Sequence, residues 1–166
     1  MKKTYNVKYR RKRQGKTDYN NRLRLLSSHK LRLVVRASLK NISLQVVKYN
    51  SEGDMVLLSV SSKQLQKQFG WNKSKGNRAA AYLTGSLLGK KAKEKSLTDM
   101  ILDMGNYPNV KNSRVYAALK GVVDAGISIP HSKEIFPSEE LIKGNCKDEF
   151  DNTKKRIIEV KQNGKE

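Results

Sequence analysis

In LRLVVRAS (31–38), Leu31, Leu33, Val35 and Ala37 alternate with Arg32, Arg36 and Ser38. A two-residue period of this kind predicts a strand buried on one side, with both arginines on its open face. NISLQVVKY (41–49) and MVLLSVS (55–61) are also strand-like, and NSEGD (50–54), with Gly53 before Asp54, reads as the turn between them. Three such segments with tight connections predict an antiparallel meander. Past FGWNKSKGN (69–77), read as a loop, the period lengthens. In AAAYLTGSLLGKKAKEK (79–95), Ala79, Ala80, Leu83 and Leu87 recur at helical spacing, and Gly85, Ser86 and Gly89 are small enough for close packing on a sheet. Lys90, Lys91, Lys93 and Lys95 fall in the last turns, where cations favour the helix dipole.

DMILDMG (99–105) is a short apolar run closed by a glycine, as expected of a buried parallel strand. Ser113 then caps a second helix whose stripe is Val115, Ala118, Leu119, Val122 and Val123, with Gly126 as its stop. Beyond Ser138, SEELIKG and DNTKKRIIEV predict short helices with little apolar content. The order βββαβα makes this an α/β chain, with crossovers covering a mixed sheet. Three regions are expected: a basic arm over residues 1–28, an α/β core over 29–137 and a peripheral C-terminal tail over 138–166.

Composition narrows the class. The 166 residues suffice for one domain with a proper core. The longest apolar runs, such as MVLLSV (55–60), are far too short to span a bilayer. No apolar stretch follows the basic start MKKTYNVKYRRKR, so no secretory leader is expected. Cys146 is the single cysteine, which forbids an internal disulfide and fits a reducing cytoplasm.

Charge changes the picture more. The formal net charge is +20, and residues 1–40 carry 14 Lys and Arg against the lone acid Asp18. Self-repulsion on that scale is tolerated when a polyanion neutralises it. A membrane-surface helix would need a bulky apolar face, and residues 1–22 offer only Val7 and scattered tyrosines. Nucleic acid is the better partner. Residues 1–20 lack an apolar period and read as an extended arm that orders on binding. Tyr5, Tyr9 and Tyr19 sit among its cations, where rings stack on unpaired bases. Charge alone leaves open a non-specific basic protein that compacts nucleic acid.

Little points to catalysis. His29 and His131 stand alone, without partners at metal-ligand spacing. Asp99 and Asp103 share one side of a strand, but a two-metal nuclease needs carboxylates from other strands, and LRLVVRAS has none. No phosphate-cradling glycine motif occurs, and no cofactor, metal or small-molecule substrate is expected. One anion site is plausible on physical grounds. Gly105, the loop 106–112 with Lys111, and the helix start at Ser113 and Arg114 would present backbone N–H groups to a phosphate.

YRRKRQGKTDYNNRLRLL, KLRLVVRAS, GNRAAAYLTGSLLG, LDMG, SRVYAALKGVVDAG and ISIPHS follow one another in an order and spacing that resemble a known family. It is the universal large-subunit ribosomal protein number eighteen in its archaeal form, related to eukaryotic large-subunit protein number five. The resemblance covers about residues 2–137. It implies a three-layer, ribonuclease-H-like α/β fold without the nuclease carboxylates. It also implies binding to 5S rRNA and to 23S-type rRNA in the central protuberance, beside neighbouring large-subunit proteins that include the other 5S-associated protein. By motif, Arg10, Arg11, Lys12, Arg13, Lys16, Tyr19, Arg22 and Arg24 match the RNA-gripping segment, and Arg32 and Arg36 the basic first strand. Gly105, Ser113 and Arg114 match a turn and basic helix start brought to RNA; Lys2, Lys3, Tyr5, Lys8, Tyr9 and Lys111 complete the candidate contacts.

Overall fold

In the computed structural model, which describes residues 6–159, four strands form one sheet in the order β3-β2-β1-β4. They are β1 (Leu31–Ala37), β2 (Ile42–Lys48), β3 (Met55–Ser61) and β4 (Met100–Asp103). β1 and β2 are antiparallel, with Arg32 opposite Val47, and β1 and β4 are parallel, with Val34 opposite Asp103. Asp99 extends the parallel edge by a single bridge to Ser128. The β2–β3 register slips at Val46/Val47, so that Val46 faces Leu58, Val47 faces Val56, and Leu57 has no partner across the pair. The Lys95 ammonium donates to the carbonyl of this extra residue at 3.3 Å.

The pleat sends Leu33, Val35, Ile42, Leu44, Val46 and Val60 to one face, where all are fully buried. Two helices cover that face, α4 (Arg78–Glu94) and α5 (Arg114–Asp124). Asn77 caps α4, accepting from the Ala80 N–H at 2.8 Å. The small residues of α4 pack against α5, not against the sheet as the sequence suggests. A Cβ added to Gly85 would stand 2.1 Å from the Ala118 carbonyl oxygen, and one added to Gly121 would stand 2.2 Å from that of Tyr82. Both glycines therefore let the two backbones touch.

The structure adds one helix to the sequence reading and seats two expected ones in the core. α3 (Ser62–Phe69) fills a stretch left unassigned; its only apolar positions, Leu65 and Phe69, are both buried, and it runs from the Ser61 cap to Gly70 at φ +70°. The tail is not peripheral over its described part. α6 (Glu139–Lys143) and α7 (Lys147–Glu159) bring Ile142, Phe150 and Ile157 into the main core, and α7 lies along α4. Phe150, Thr153 and Ile157 share one stripe, so three residues suffice to seat a helix that looks polar in sequence.

The N-terminal arm is not extended over its described part either. It folds into α1 (Arg10–Arg13) and α2 (Tyr19–Leu26), with Gly15 at φ +63° between them. Asp18 caps α2 by accepting from the Asn20 and Asn21 N–H groups at 3.0 and 3.3 Å. Neither helix buries a residue completely, which is why no apolar period announces them. Residues of α2 and the open face of the sheet (Val34, Gln45, Val47) line a common cavity. The layers are therefore α2, the sheet, and α4 with α5: a mixed three-layer α/β fold.

Candidate nucleic-acid interface

α1 consists of four consecutive cations, Arg10, Arg11, Lys12 and Arg13, all exposed. Lys8, Lys16 and Arg24 are exposed beside them. Arg11 is oriented by its Nε–H, which donates to Thr17 Oγ1 at 2.8 Å. Tyr9, 73% exposed, leans on Tyr19 with ring centroids 5.3 Å apart. The aromatic pair is thus held at the foot of the cationic helix, with one ring open to solvent. Lys2, Lys3 and Tyr5 lie outside the described residues.

Between the arm and the sheet runs a ladder of alternating charge. Arg22 Nη2 donates to both Asp54 oxygens at 3.0 and 2.9 Å, and Asp54 Oδ2 lies 2.8 Å from Arg32 Nη2. Arg32 Nη1 then meets Asp103 Oδ2 at 3.0 Å, and Arg36 Nη2 meets Asp103 Oδ1 at 3.5 Å. Burial opposes ionisation of Asp54, but hydrogen bonds and charge from Arg32 and Arg22 outweigh it and hold the carboxyl below its usual value. The three arginines outnumber the two acids, so the ladder keeps one positive charge.

Arg32 is not on an open face. It is 2% exposed, because α2 covers that side of the sheet and two carboxylates converge on its guanidinium. A charge removed from water must be paired, and this one is. Arg36 is half exposed and anchored by Nη1 to the carbonyls of Val35 and Asp103 at 2.9 and 3.1 Å. Its guanidinium packs on Gly105, whose φ of +62° and missing side chain admit it: a Cβ there would lie 3.1 Å from Arg36 Cζ.

At the start of α5 the expected cations divide. Arg114 Nη1 donates to the carbonyls of Ser38 and Gly76, both at 2.9 Å, tying the β1–β2 connection to the approach of α4. Its guanidinium is a staple between loops. Lys111 is well exposed and only loosely opposed by Glu134 at 3.8 Å. Ser113 occupies the cap position, but its buried Oγ has no hydrogen-bond partner among the described residues. Sequence reasoning missed Arg78, whose Nε donates to the Asn112 carbonyl at 2.8 Å on the same rim. It also missed Asp54, whose place in a turn says nothing of its ion pairs.

The carboxylates weighed as metal ligands hold cations of the protein instead: Asp99 pairs with Lys30 at 2.8 Å, and Asp103 with Arg32. Among the described residues, no group of three or more His, Cys, Asp or Glu side chains could hold a metal ion. His131 Nδ1 lies 2.7 Å from the Ile129 carbonyl, as a structural histidine does. No helix among the described residues is long and apolar enough to cross a membrane.

The family described as ribosomal large subunit proteins 60S L5, and 50S L18, matches residues 3–101, which span α1, α2, the meander and α4. The chain belongs to this family. It is 51% identical over 140 residues to the large ribosomal subunit protein uL18 of Korarchaeum cryptofilum, covering 84% of this chain and 71% of that one. To the protein of the same name from Methanothrix thermoacetophila it is 50% identical over 140 residues, covering 84% and 82%. The match to the Methanococcoides burtonii protein, 44% over 164 residues, takes in 93% of this chain and 94% of its relative. The family's members are structural proteins of the ribosome, not enzymes, and these relatives are archaeal.

Proposed function

We propose that this chain, a structural protein of the large ribosomal subunit by its family, binds 5S rRNA and attaches it to the 23S-type rRNA in the central protuberance. The observation that supports this most is the contrast between two sets of cations. Arg32 is locked into the ladder, whereas Arg10 to Arg13, Lys8, Lys16 and Arg24 are exposed and make no ion pair among the described residues. Free, clustered and outward-facing cations are what a phosphate backbone requires. The open ring of Tyr9 beside them suits an unpaired base. Lys111, at the other rim, offers a second phosphate contact. Neighbouring large-subunit proteins, including the other 5S-associated protein, complete the set of partners, and the site of action is the cytoplasmic ribosome.

Each phosphate neutralised releases counterions. With roughly six to ten contacts, affinity for 5S rRNA should fall about 10³–10⁵-fold between 50 and 200 mM salt. Filter binding of labelled 5S rRNA, with and without excess duplex DNA, tests the reading. Retention against the DNA is the expected result. Displacement by duplex DNA at equal phosphate would overturn it in favour of a non-specific compacting protein.

A further inference from the structure

The cavity between the arm and the open face of the sheet encloses about 250 Å³. We infer that it receives one nucleobase extruded from the bound RNA. The inference rests on the RNA-binding reading above and adds to it where a base goes and which groups receive it.

The floor of the cavity is apolar. Val34, Val47 and Val56 come from three adjacent strands, and Leu25 faces them from α2. A flat π-face can lie on such a surface, whereas a bare phosphate gains nothing from it. The edge is polar. Among the described residues, neither the Gln45 nor the Asn21 side-chain amide has a hydrogen-bond partner, so both are open to a ligand. Arg32 also lines the cavity, its terminal nitrogens held by the Asp54 and Asp103 carboxylates. The amides supply a donor and an acceptor each for the base edge.

The rim completes the match. Arg11 and Lys16 stand at the mouth, where the phosphates flanking an extruded nucleotide would lie. The acids that line the cavity do not oppose this, since Asp54 and Asp103 are neutralised by the ladder and Asp18 caps α2. An apolar floor, an edge with free donors and acceptors, and a cationic mouth are together the needs of an unstacked nucleotide. An aromatic side chain from a neighbouring protein would use the floor and leave the edge and mouth idle.

Two charge-neutral variants test this in the full chain. Gln45→Leu removes the edge, and Val56→Trp fills the floor from a position 49% exposed, where a larger side chain is accommodated. Each should weaken 5S rRNA binding about tenfold, within the range for one stacked base, and leave the salt slope unchanged because no cation is lost. Ultraviolet crosslinking of the unaltered protein to 5S rRNA, followed by peptide mapping, should place a nucleotide adduct within residues 17–25 or 43–56. Unchanged affinity in both variants, with wild-type unfolding temperatures, overturns the inference. So do adducts confined to residues 8–16, or variants that bind isolated RNA normally yet fail to enter ribosomal subunits. If the unaltered protein itself fails to retain 5S rRNA at low salt, the broader RNA-binding reading falls with it.

Discussion

Arg32 on β1 and Asp103 on the neighbouring parallel strand β4 meet at 3.0 Å, and neither is more than marginally exposed. The pair joins the middle of the sheet to its parallel edge by a charge contact on the side away from the main core. Removing Arg32 would leave the nearly buried Asp103 carboxylate with only Arg36, at 3.5 Å, to offset it. Arg32→Ala should cost about 3–5 kcal/mol in a urea titration, whereas Arg32→Met with Asp103→Leu should recover much of that loss. A cost below about 1 kcal/mol for the single variant would mean that the pair is solvated.

Asp54 gives the arm a pH dependence. Its carboxyl is held below the ordinary value of 3.8, so the stabilisation it provides is complete above that value and is lost as pH falls through the lower, folded one. The thermal midpoint should therefore drop below about pH 4, and Asp54→Asn should flatten that limb. Parallel melting curves for the two proteins between pH 2 and 6 check the sign.

Gly85 and Gly121 allow α4 and α5 to touch backbone to backbone. Gly85→Ala and Gly121→Ala should each cost at least about 3 kcal/mol, the upper end of overpacking, because the atoms met are carbonyl oxygens that cannot turn aside. Ser86→Ala, in the same helix, should stay within about 1 kcal/mol, which a denaturant series would reveal.

Arg11→Ala with Arg13→Ala should reduce the slope of log affinity for 5S rRNA against log salt by roughly 1.5–2, as expected for two phosphate contacts. Arg114→Ala should leave that slope intact and lower the unfolding temperature instead, because Arg114 holds the carbonyls of Ser38 and Gly76. The opposite pattern would exchange the roles of arm and staple.

The strong periods were legible. β1 to β3, α4, β4 and α5 appear where alternation or a helical stripe runs through enough apolar residues. α3 and the burial of α7 escaped because Leu65 with Phe69, or Phe150 with Ile157, are too few to stand out among lysines, yet each fills its place in the core. The arm's cations were plain as composition. The fate of Arg32 was not: its partner Asp103 lies 71 residues away, and only the sheet pairing brings them together. Side-chain alternation shows which face a residue takes and is silent on what covers that face.

Phe150→Ala should cost about 3–5 kcal/mol if the tail is part of the core, since the ring is 2% exposed and packs against Tyr82. A loss under about 1 kcal/mol in thermal or urea unfolding would restore the tail to the periphery.

The slip at Leu57 matters most before the protein meets its RNA. β3 is an outer strand, rich in valine and leucine, and a flat strand of that kind invites a second copy to add to it. The unmatched residue kinks the strand, and Lys95 occupies the carbonyl that a newcomer would bond. Newly made chains waiting in surplus are thereby discouraged from stacking into fibres.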